Sequence, residues 1–120
     1  MRLADNAYLW PLELTDITRA YIDGLNDPTI NQFLGASRSR KQTHETISEY
    51  IEENRQNNDR LFGLFIDRSL RGTVRLHHIQ RDTGTAEFGV LIFDKKYWNQ
   101  GWARRAIAIV AQFGFREFGI

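Results

Sequence analysis

The stretch that decides the fold is residues 87–106, which read EFGVLIFDKKYWNQGWARRA. An apolar run typical of a strand is followed by a short polar loop and by Gly101, where a helical pattern begins. The first turn of a helix carries free backbone N–H groups and partial positive charge, and glycine lets a bulky anion approach them. The stretch therefore predicts a strand–loop–helix junction that could hold a phosphate, although a tight turn alone would also explain the glycine.

The segment before this junction predicts an antiparallel meander. Residues 61–67, 72–80 and 85–93 have the period-two pattern of strands, and the connections between them are short. Residues 101–118 return to helical spacing and form the longest predicted helix. The alternation of the third strand places Glu87, Gly89, Leu91 and Phe93 on one side.

The N-terminal half predicts a strand and several helices. Pro11 cannot donate to a central ladder, so the strand that contains it is predicted to lie at a sheet edge. In chain order the predicted elements are a strand over 8–14, a helix over 16–26 capped by Thr15, a brief helix begun by Asp27-Pro28, a basic loop over 35–42 that contains Arg38-Ser39-Arg40-Lys41, and a helix capped by Thr43. The whole order predicts an α+β domain.

Composition restricts the class of protein. The 120 residues are 42% hydrophobic and 26% charged, which fits a single domain over residues 1–120. Sixteen Lys+Arg against 15 Asp+Glu leave a net charge of +1, so no strong field gathers nucleic acid or an anionic membrane. The absence of cysteine excludes disulfides, thiolate metal sites and a cysteine nucleophile, and it fits the cytoplasm. Residues 1–14 lack the pattern of a signal peptide and no run approaches the length of a membrane span, so neither is expected from this sequence.

A family resemblance sharpens the prediction. The run Tyr97-Trp98-Asn99-Gln100-Gly101-Trp102-Ala103 resembles the pyrophosphate-binding motif of the GNAT superfamily of N-acetyltransferases, Gln/Arg-x-x-Gly-x-Gly/Ala. Gly101 and Ala103 match the motif. Trp98 departs from it in the way shared by ribosomal-protein and small-amine acetyltransferases, which residues 86–96 also resemble. The resemblance extends over the whole chain, but only residues 87–106 are specific.

The resemblance implies a GNAT-like, mixed but mainly antiparallel sheet flanked by helices. It implies acetyl-CoA as co-substrate and direct attack by a primary amine of a small molecule or peptide, without a metal. Backbone groups of Leu91 and Phe93 would hold the thioester and pantetheine, and the Leu91 N–H would polarise the acetyl carbonyl. The implied cofactor-binding residues are Leu91, Ile92, Phe93, Trp98, Asn99, Gln100, Gly101, Trp102, Ala103 and Arg104.

Glu87 occupies the position where many relatives place a catalytic glutamate, so the resemblance implies a general base acting directly or through water. The alternative is a strand carboxylate paired with Arg75 or another cation on the neighbouring strand. His77 and His78 are adjacent on a predicted strand, so they are expected to face opposite sides and not to chelate a metal together.

The end of the chain raises the question of completeness. GNAT members usually continue with a strand, a helix and two strands, whereas this sequence stops at Gly119-Ile120 after its last helix. The resemblance thus implies an incomplete domain for which no general acid can be named. Its exposed sheet edge is expected to pair with another copy, as a homodimer, or with a complementary fragment. Two alternatives stay open: a non-catalytic CoA-binding or protein-interaction remnant of the same fold, and an unrelated α+β interaction domain.

Overall fold

The computed structural model describes residues 1–35 and 40–120. Two single-turn 3₁₀ segments, Leu14–Asp16 and Lys95–Tyr97, join larger elements. The strands and helices are, in chain order, β1 Arg2–Ala4, β2 Ala7–Pro11, α1 Arg19–Asn26, α2 Pro28–Asn31, α3 His44–Gln56, β3 Arg60–Ile66, β4 Ser69–Gln80, β5 Thr85–Ile92 and α4 Trp102–Phe118. The predicted α+β fold class is confirmed.

The sheet follows the chain, with its strands in the order β1-β2-β3-β4-β5 and every described pairing antiparallel. The β3–β4 hairpin turns at Asp67 and Arg68, whose φ angles of 52° and 69° suit the right-handed twist of the strands. One edge of the sheet is β1 and the other is β5, and no described strand pairs with the outer side of β5.

The prediction that the Pro11 strand forms a sheet edge is wrong, because β1 lies outside β2. Leu9 and Met1 exchange hydrogen bonds, with the Leu9 N–H 2.7 Å from the Met1 carbonyl and the Met1 amino group 2.8 Å from the Leu9 carbonyl. Pro11 lies beyond this pair, at a point that β1 does not reach. Its missing N–H therefore costs no ladder hydrogen bond.

Helices cover both faces of the sheet. On one face α4 packs against apolar side chains of β2, β3 and β4, including Leu9, Leu64 and Leu76. On the other face α1, α2 and α3 bury a second cluster: Leu12, Tyr21, Leu25, Ile30, Ile47, Ile51, Leu61, Leu70 and Phe93. This arrangement leaves the edge of β5 between the two helical layers.

Helix starts agree with the sequence in three cases out of four, and α1 is the exception. Thr18, not Thr15, caps α1 by accepting a hydrogen bond from the Tyr21 N–H at 3.2 Å. Thr15 lies inside a 3₁₀ turn that is closed where the Glu13 N–H donates to the Asp16 carboxylate. Asp27 and Thr43 cap α2 and α3 as predicted, and Gly101 precedes α4. Residues 36–39 of the predicted basic loop, which include Arg38 and Ser39, lie outside the described residues.

Candidate functional site

A cavity of about 450 Å³ lies where β5 ends and α4 begins. All predicted cofactor-binding residues except Phe93 and Gln100 line it. The sequence did not single out three further lining residues, Phe33, Val90 and Tyr97. The complete lining is Phe33, Val90, Leu91, Ile92, Tyr97, Trp98, Asn99, Gly101, Trp102, Ala103 and Arg104.

The loop leading into α4 leaves the start of the helix open. Gly101 has a φ of 81°, and a Cβ added there would meet nothing within 4 Å. It supplies no side chain to cap α4, and the first intrahelical bond runs from the Arg105 N–H to the Gly101 carbonyl. The N–H groups of residues 102–104 thus have no acceptor within their own helix, which is the arrangement that binds anions at helix starts.

Two side chains of this loop are structural. The Gln100 amide donates to the Lys96 carbonyl at 2.9 Å, and its oxygen accepts from the Trp102 indole at 3.1 Å. These two bonds hold the Gln100 side chain within the loop, and it does not line the cavity. Trp98 lines the cavity, but its indole N–H donates to the Ile92 carbonyl at 2.7 Å and its ring meets Phe33 edge-on. Trp98 therefore anchors the loop to the end of β5.

The hydrogen-bond pattern between β4 and β5 contradicts the predicted role of the Leu91 N–H as the donor to the acetyl carbonyl. The Phe93 N–H donates to the Arg71 carbonyl on the β4 side at 3.0 Å, and the partner of Leu91 two positions back is Thr73. Polar groups of alternate residues face the same neighbour in an antiparallel ladder, so the Leu91 N–H is directed at β4. The groups that face the open edge belong to Val90 and Ile92, which agrees with the bond from Trp98 to the Ile92 carbonyl.

Phe93 also departs from its predicted role. Its ring is buried, stacks on Tyr21 with centroids 5.1 Å apart and packs against Gly24. Because its N–H is bonded to Arg71, this donor is not free for pantetheine. Phe93 instead fixes the end of β5 against α1.

Most cations near the cavity already have partners. Arg71 bonds Asp94 at 3.0 Å and lies over the Tyr97 ring, while Arg105 lies over Trp102. Arg104 is exposed and lines the cavity, and within residues 1–35 and 40–120 no ion pair of it is found. It is thus the cation best placed to meet an anion.

The phenol of Tyr97 is engaged on the far side of the loop. Its hydroxyl donates to the Asp67 carboxylate at 2.8 Å, and this bond raises the pKa of Tyr97. The Asn6 amide and the Tyr97 hydroxyl together lower the pKa of Asp67. Tyr97 therefore stays protonated and holds the loop to the β3–β4 turn.

Glu87 lies on β5 outside the cavity, about 13 Å along the strand from Leu91 at the usual rise per residue. Its carboxylate is exposed and contacts side chains of β4, the strand on which one alternative placed a cationic partner. The partners are histidines: Oε2 is 2.5 Å from Nδ1 of His78 and 3.8 Å from Nε2 of His77. Arg75, the expected partner, instead bonds Asn54 and Asp59.

The expectation that His77 and His78 face opposite sides is wrong. The β4–β5 register shifts between His77 and Gln80, and His78 has a φ of 50°. This bulge brings the two rings to the same side, with centroids 4.6 Å apart. Burial, then the nearby Arg75 charge, lowers the pKa of His77, so its imidazole is mainly neutral at pH 7.

The fold and the cavity agree with a match to a known protein family. A family model described as the acetyltransferase (GNAT) domain matches residues 7–120. The chain belongs to the GNAT acetyltransferase family. No curated protein matches it. In the part of this GNAT chain that the structure describes, none of the helices combines the length and apolar character needed to cross a membrane.

Solved structures share the GNAT fold at low sequence identity. A probable acetyltransferase is 21% identical with a TM-score of 0.81, over 100% of this chain and 69% of its own. The ribosomal L7/L12 alpha-N-protein acetyltransferase RimL, in complex with coenzyme A, is 13% identical with a TM-score of 0.80, over 97% and 68%. Spermidine N-acetyltransferase from Vibrio cholerae, in complex with CoA and spermine, is 21% identical with a TM-score of 0.76, over 98% and 68%.

Proposed function

We propose that this GNAT chain is an acetyl-CoA-dependent N-acetyltransferase that acts on a primary amine. The observation that carries the proposal is the 450 Å³ cavity, which joins the open edge of β5 to the uncapped start of α4. A CoA molecule has an extended arm that suits a strand edge and a pyrophosphate that suits a helix start. The cavity offers both features to one ligand.

The pyrophosphate binds at the start of α4. Free N–H groups of residues 102–104 supply donors, Gly101 leaves room for the phosphates, and Arg104 adds a full positive charge. Arg104 lies in the first helical turn, where the helix dipole disfavours a cation. The attraction between Arg104 and the negative charge of a bound pyrophosphate outweighs this unfavourable interaction with the helix dipole. This explains an arginine at this position.

The pantetheine arm runs along the outer edge of β5. Since Trp98 already occupies the Ile92 carbonyl, the groups left for the arm are the Ile92 N–H and both polar groups of Val90. One of these two N–H groups takes the role first assigned to Leu91 and binds the acetyl oxygen as negative charge develops on it. Leu91 lines the cavity but does not donate its N–H to the coenzyme.

Acetyl transfer proceeds by direct attack. The amine nitrogen bonds to the acetyl carbon, the C–S bond breaks, and CoA leaves as a thiolate. The amine proton passes to the Glu87 carboxylate, and the distance along β5 requires water between the two groups. Neighbours named for ribosomal-protein and spermidine acetylation support an amine acceptor, small-molecule or peptide. We expect the reaction in the cytoplasm.

The open edge of β5 is also where we propose that two copies of the chain pair. Its outward N–H and C=O groups have no strand partner among the described residues, and Phe88 is an exposed large apolar side chain beside them. Unpaired strand edges of this kind add strands from other chains. The predicted homodimer would thus extend the sheet.

Coenzyme binding is tested by thermal shift with acetyl-CoA and with CoA. At 100-fold the dissociation constant a ligand stabilises the folded state by about 2.7 kcal/mol, so a clear rise in melting temperature is expected. Gly101→Glu and Gly101→Gln share the strain of a side chain at a φ of 81° and differ only in charge. The shift should be much smaller for Gly101→Glu than for Gly101→Gln.

Absence of a shift in the wild type, or equal shifts in the two variants, would show that the pyrophosphate does not bind at this site. Release of free CoA thiol over a panel of primary amines then separates an enzyme from the rival function. Binding without thiol release for any amine would favour a non-catalytic CoA-binding remnant.

A further inference from the structure

Three potential metal ligands meet on one side of the β4–β5 hairpin, outside the coenzyme cavity. They are one imidazole nitrogen each of His77 and His78 and a carboxylate oxygen of Glu87, and all lie within 4.8 Å of one another. Nε2 of His77 and Nδ1 of His78 are the nitrogens that contact the Glu87 carboxylate. Glu87 is the direct cross-strand partner of His77. Cross-strand partners point to the same face, so the backbone itself brings these two side chains together.

The bulge adds the third ligand. A regular strand would send His78 to the opposite face, but the φ of 50° at His78 turns its ring towards His77 and Glu87. A side chain larger than glycine is uncommon in this backbone region, and the conformation carries a steric cost. The fold thus keeps an unfavourable conformation at the residue that completes the cluster.

We propose that His77, His78 and Glu87 bind a divalent transition-metal ion of the Zn²⁺ class. Two imidazoles and one carboxylate form a ligand set that Zn²⁺ uses with an open fourth position. At ordinary zinc–ligand distances, ligand atoms of a tetrahedral site lie about 3.3 Å apart. The two separations from the Glu87 carboxylate, 2.5 and 3.8 Å, bracket this value, and all three ligand atoms lie within 4.8 Å of one another, so the side chains must rotate to close around an ion.

Solvent exposure and the neighbouring charges determine how an ion would reach the three ligands and how tightly they would bind it. His78 and Glu87 are exposed, so an ion enters from solvent, while the side chain of His77 is mostly buried. The Arg75 charge nearby opposes a cation, but the Asp59 carboxylate 3.2 Å from its guanidinium offsets it. Nδ1 of His77 is buried without a hydrogen-bond partner among the described residues, so binding is roughly 10–100-fold weaker than with a supported imidazole.

The site has a consequence for catalysis that rests on the proposed function. An ion held by the Glu87 carboxylate stops that group from accepting the amine proton. Metal binding is then expected to inhibit acetyl transfer without displacing acetyl-CoA, because Glu87 does not line the coenzyme cavity.

The test is titration of the whole chain with Co²⁺ and Zn²⁺ alone. The sequence holds three histidines and no cysteine, so few other groups can compete. We expect one Co²⁺ per chain with visible d–d absorption, displaced by Zn²⁺. His77→Ala, His78→Gly and Glu87→Gln should each weaken binding at least tenfold, whereas His44→Ala, which changes the exposed histidine of α3, should leave it unchanged.

The variants are designed to separate ligation from folding. Glycine adopts the φ of His78 readily, so His78→Gly removes a ligand at a position where the backbone gains freedom. Circular dichroism confirms that each variant is folded. No wild-type binding, or equal binding by wild type and folded His78→Gly, would overturn the proposal. Calorimetry with Zn²⁺ needs no coenzyme, so failure of this site and failure of the acetyltransferase proposal give different results.

Discussion

Glu87 is the residue at which coenzyme binding and turnover can be separated. Its side chain lies outside the cavity, and its carboxylate contacts only the two β4 histidines among its described hydrogen-bond and ion-pair partners. Glu87→Gln should lower kcat about 10²–10⁴-fold, the usual contribution of a general base. The dissociation constant for acetyl-CoA should not change. Thiol-release kinetics and calorimetry measure the two quantities, and an unchanged kcat would leave Glu87 with a structural or metal-binding role.

At the residue scale, the sequence predicted side-chain faces where the strand is regular, but it did not predict the direction of backbone N–H groups or the face of a residue in a bulge. The period of two correctly placed Leu91 and Phe93 on one face, where both pack into the cluster under α1, α2 and α3. The same pattern does not show which neighbouring strand receives the N–H of Leu91, because that depends on the pairing phase. The left-handed backbone of His78 also has no sequence signature, since histidine adopts it only when surrounding structure imposes it.

At the scale of elements, Asp27 links the α1–α2 junction to the coenzyme loop. Its carboxylate caps α2 and bonds Lys95 at 3.0 Å, and the Thr29 N–H is the main cause that lowers the pKa of Asp27 to about 2. Because the folded pKa lies below the ordinary value of 3.8, this stabilisation is present above pH 3.8 and is lost as pH falls towards 2.

Asp27→Asn tests this linkage, because asparagine also caps helices but does not titrate. The stability advantage of wild type over Asp27→Asn should shrink as pH falls from 3.8 to 2. Urea denaturation at a series of pH values measures it. A difference that stays constant over this range would mean that the carboxylate has no special stabilisation in the folded state.

Substitution of two strand glycines near the cavity, Gly72 on β4 and Gly89 on β5, tests how closely the two strands pack. A Cβ at Gly72 would lie 2.5 Å from the Leu91 carbonyl oxygen, whereas one at Gly89 would meet nothing within 4 Å. Gly72→Ala should lower the free energy of unfolding by about 1–3 kcal/mol, since backbone atoms must move apart. Gly89→Ala should be neutral or stabilising by up to about 1 kcal/mol. Equal effects in urea denaturation would contradict this close approach.

Elements were predictable where their patterns are long. The meander of β3, β4 and β5 and the helices α3 and α4 follow sustained periodicity, and the structure contains them. β1 has three residues and no alternation to read, so its pairing outside β2 appeared only in the structure. The start of α1 was misplaced by three residues because Thr15 and Thr18 are equally good capping residues.

For the whole molecule, the edge of β5 has two proposed uses that exclude each other. A second copy paired along this edge and a coenzyme lying along it would both bind the outward groups of Val90 and Ile92. Acetyl-CoA should therefore shift a dimer towards monomer in proportion to its occupancy. Light scattering after size-exclusion chromatography, with and without acetyl-CoA, measures the shift, and a dimer unaffected by saturating coenzyme would pair through another surface.

Proline substitution identifies that edge independently of coenzyme. The Phe88 N–H faces outward and the Gly89 N–H faces Arg75 on β4, because the ladder alternates. Phe88→Pro removes a donor to a partner strand and should give a folded monomer, as proline is tolerated at edges. Gly89→Pro removes a donor within the sheet and should lower stability instead. A Phe88→Pro dimer of wild-type affinity would show that the β5 edge is not the contact, and the competition with coenzyme would then have no physical basis.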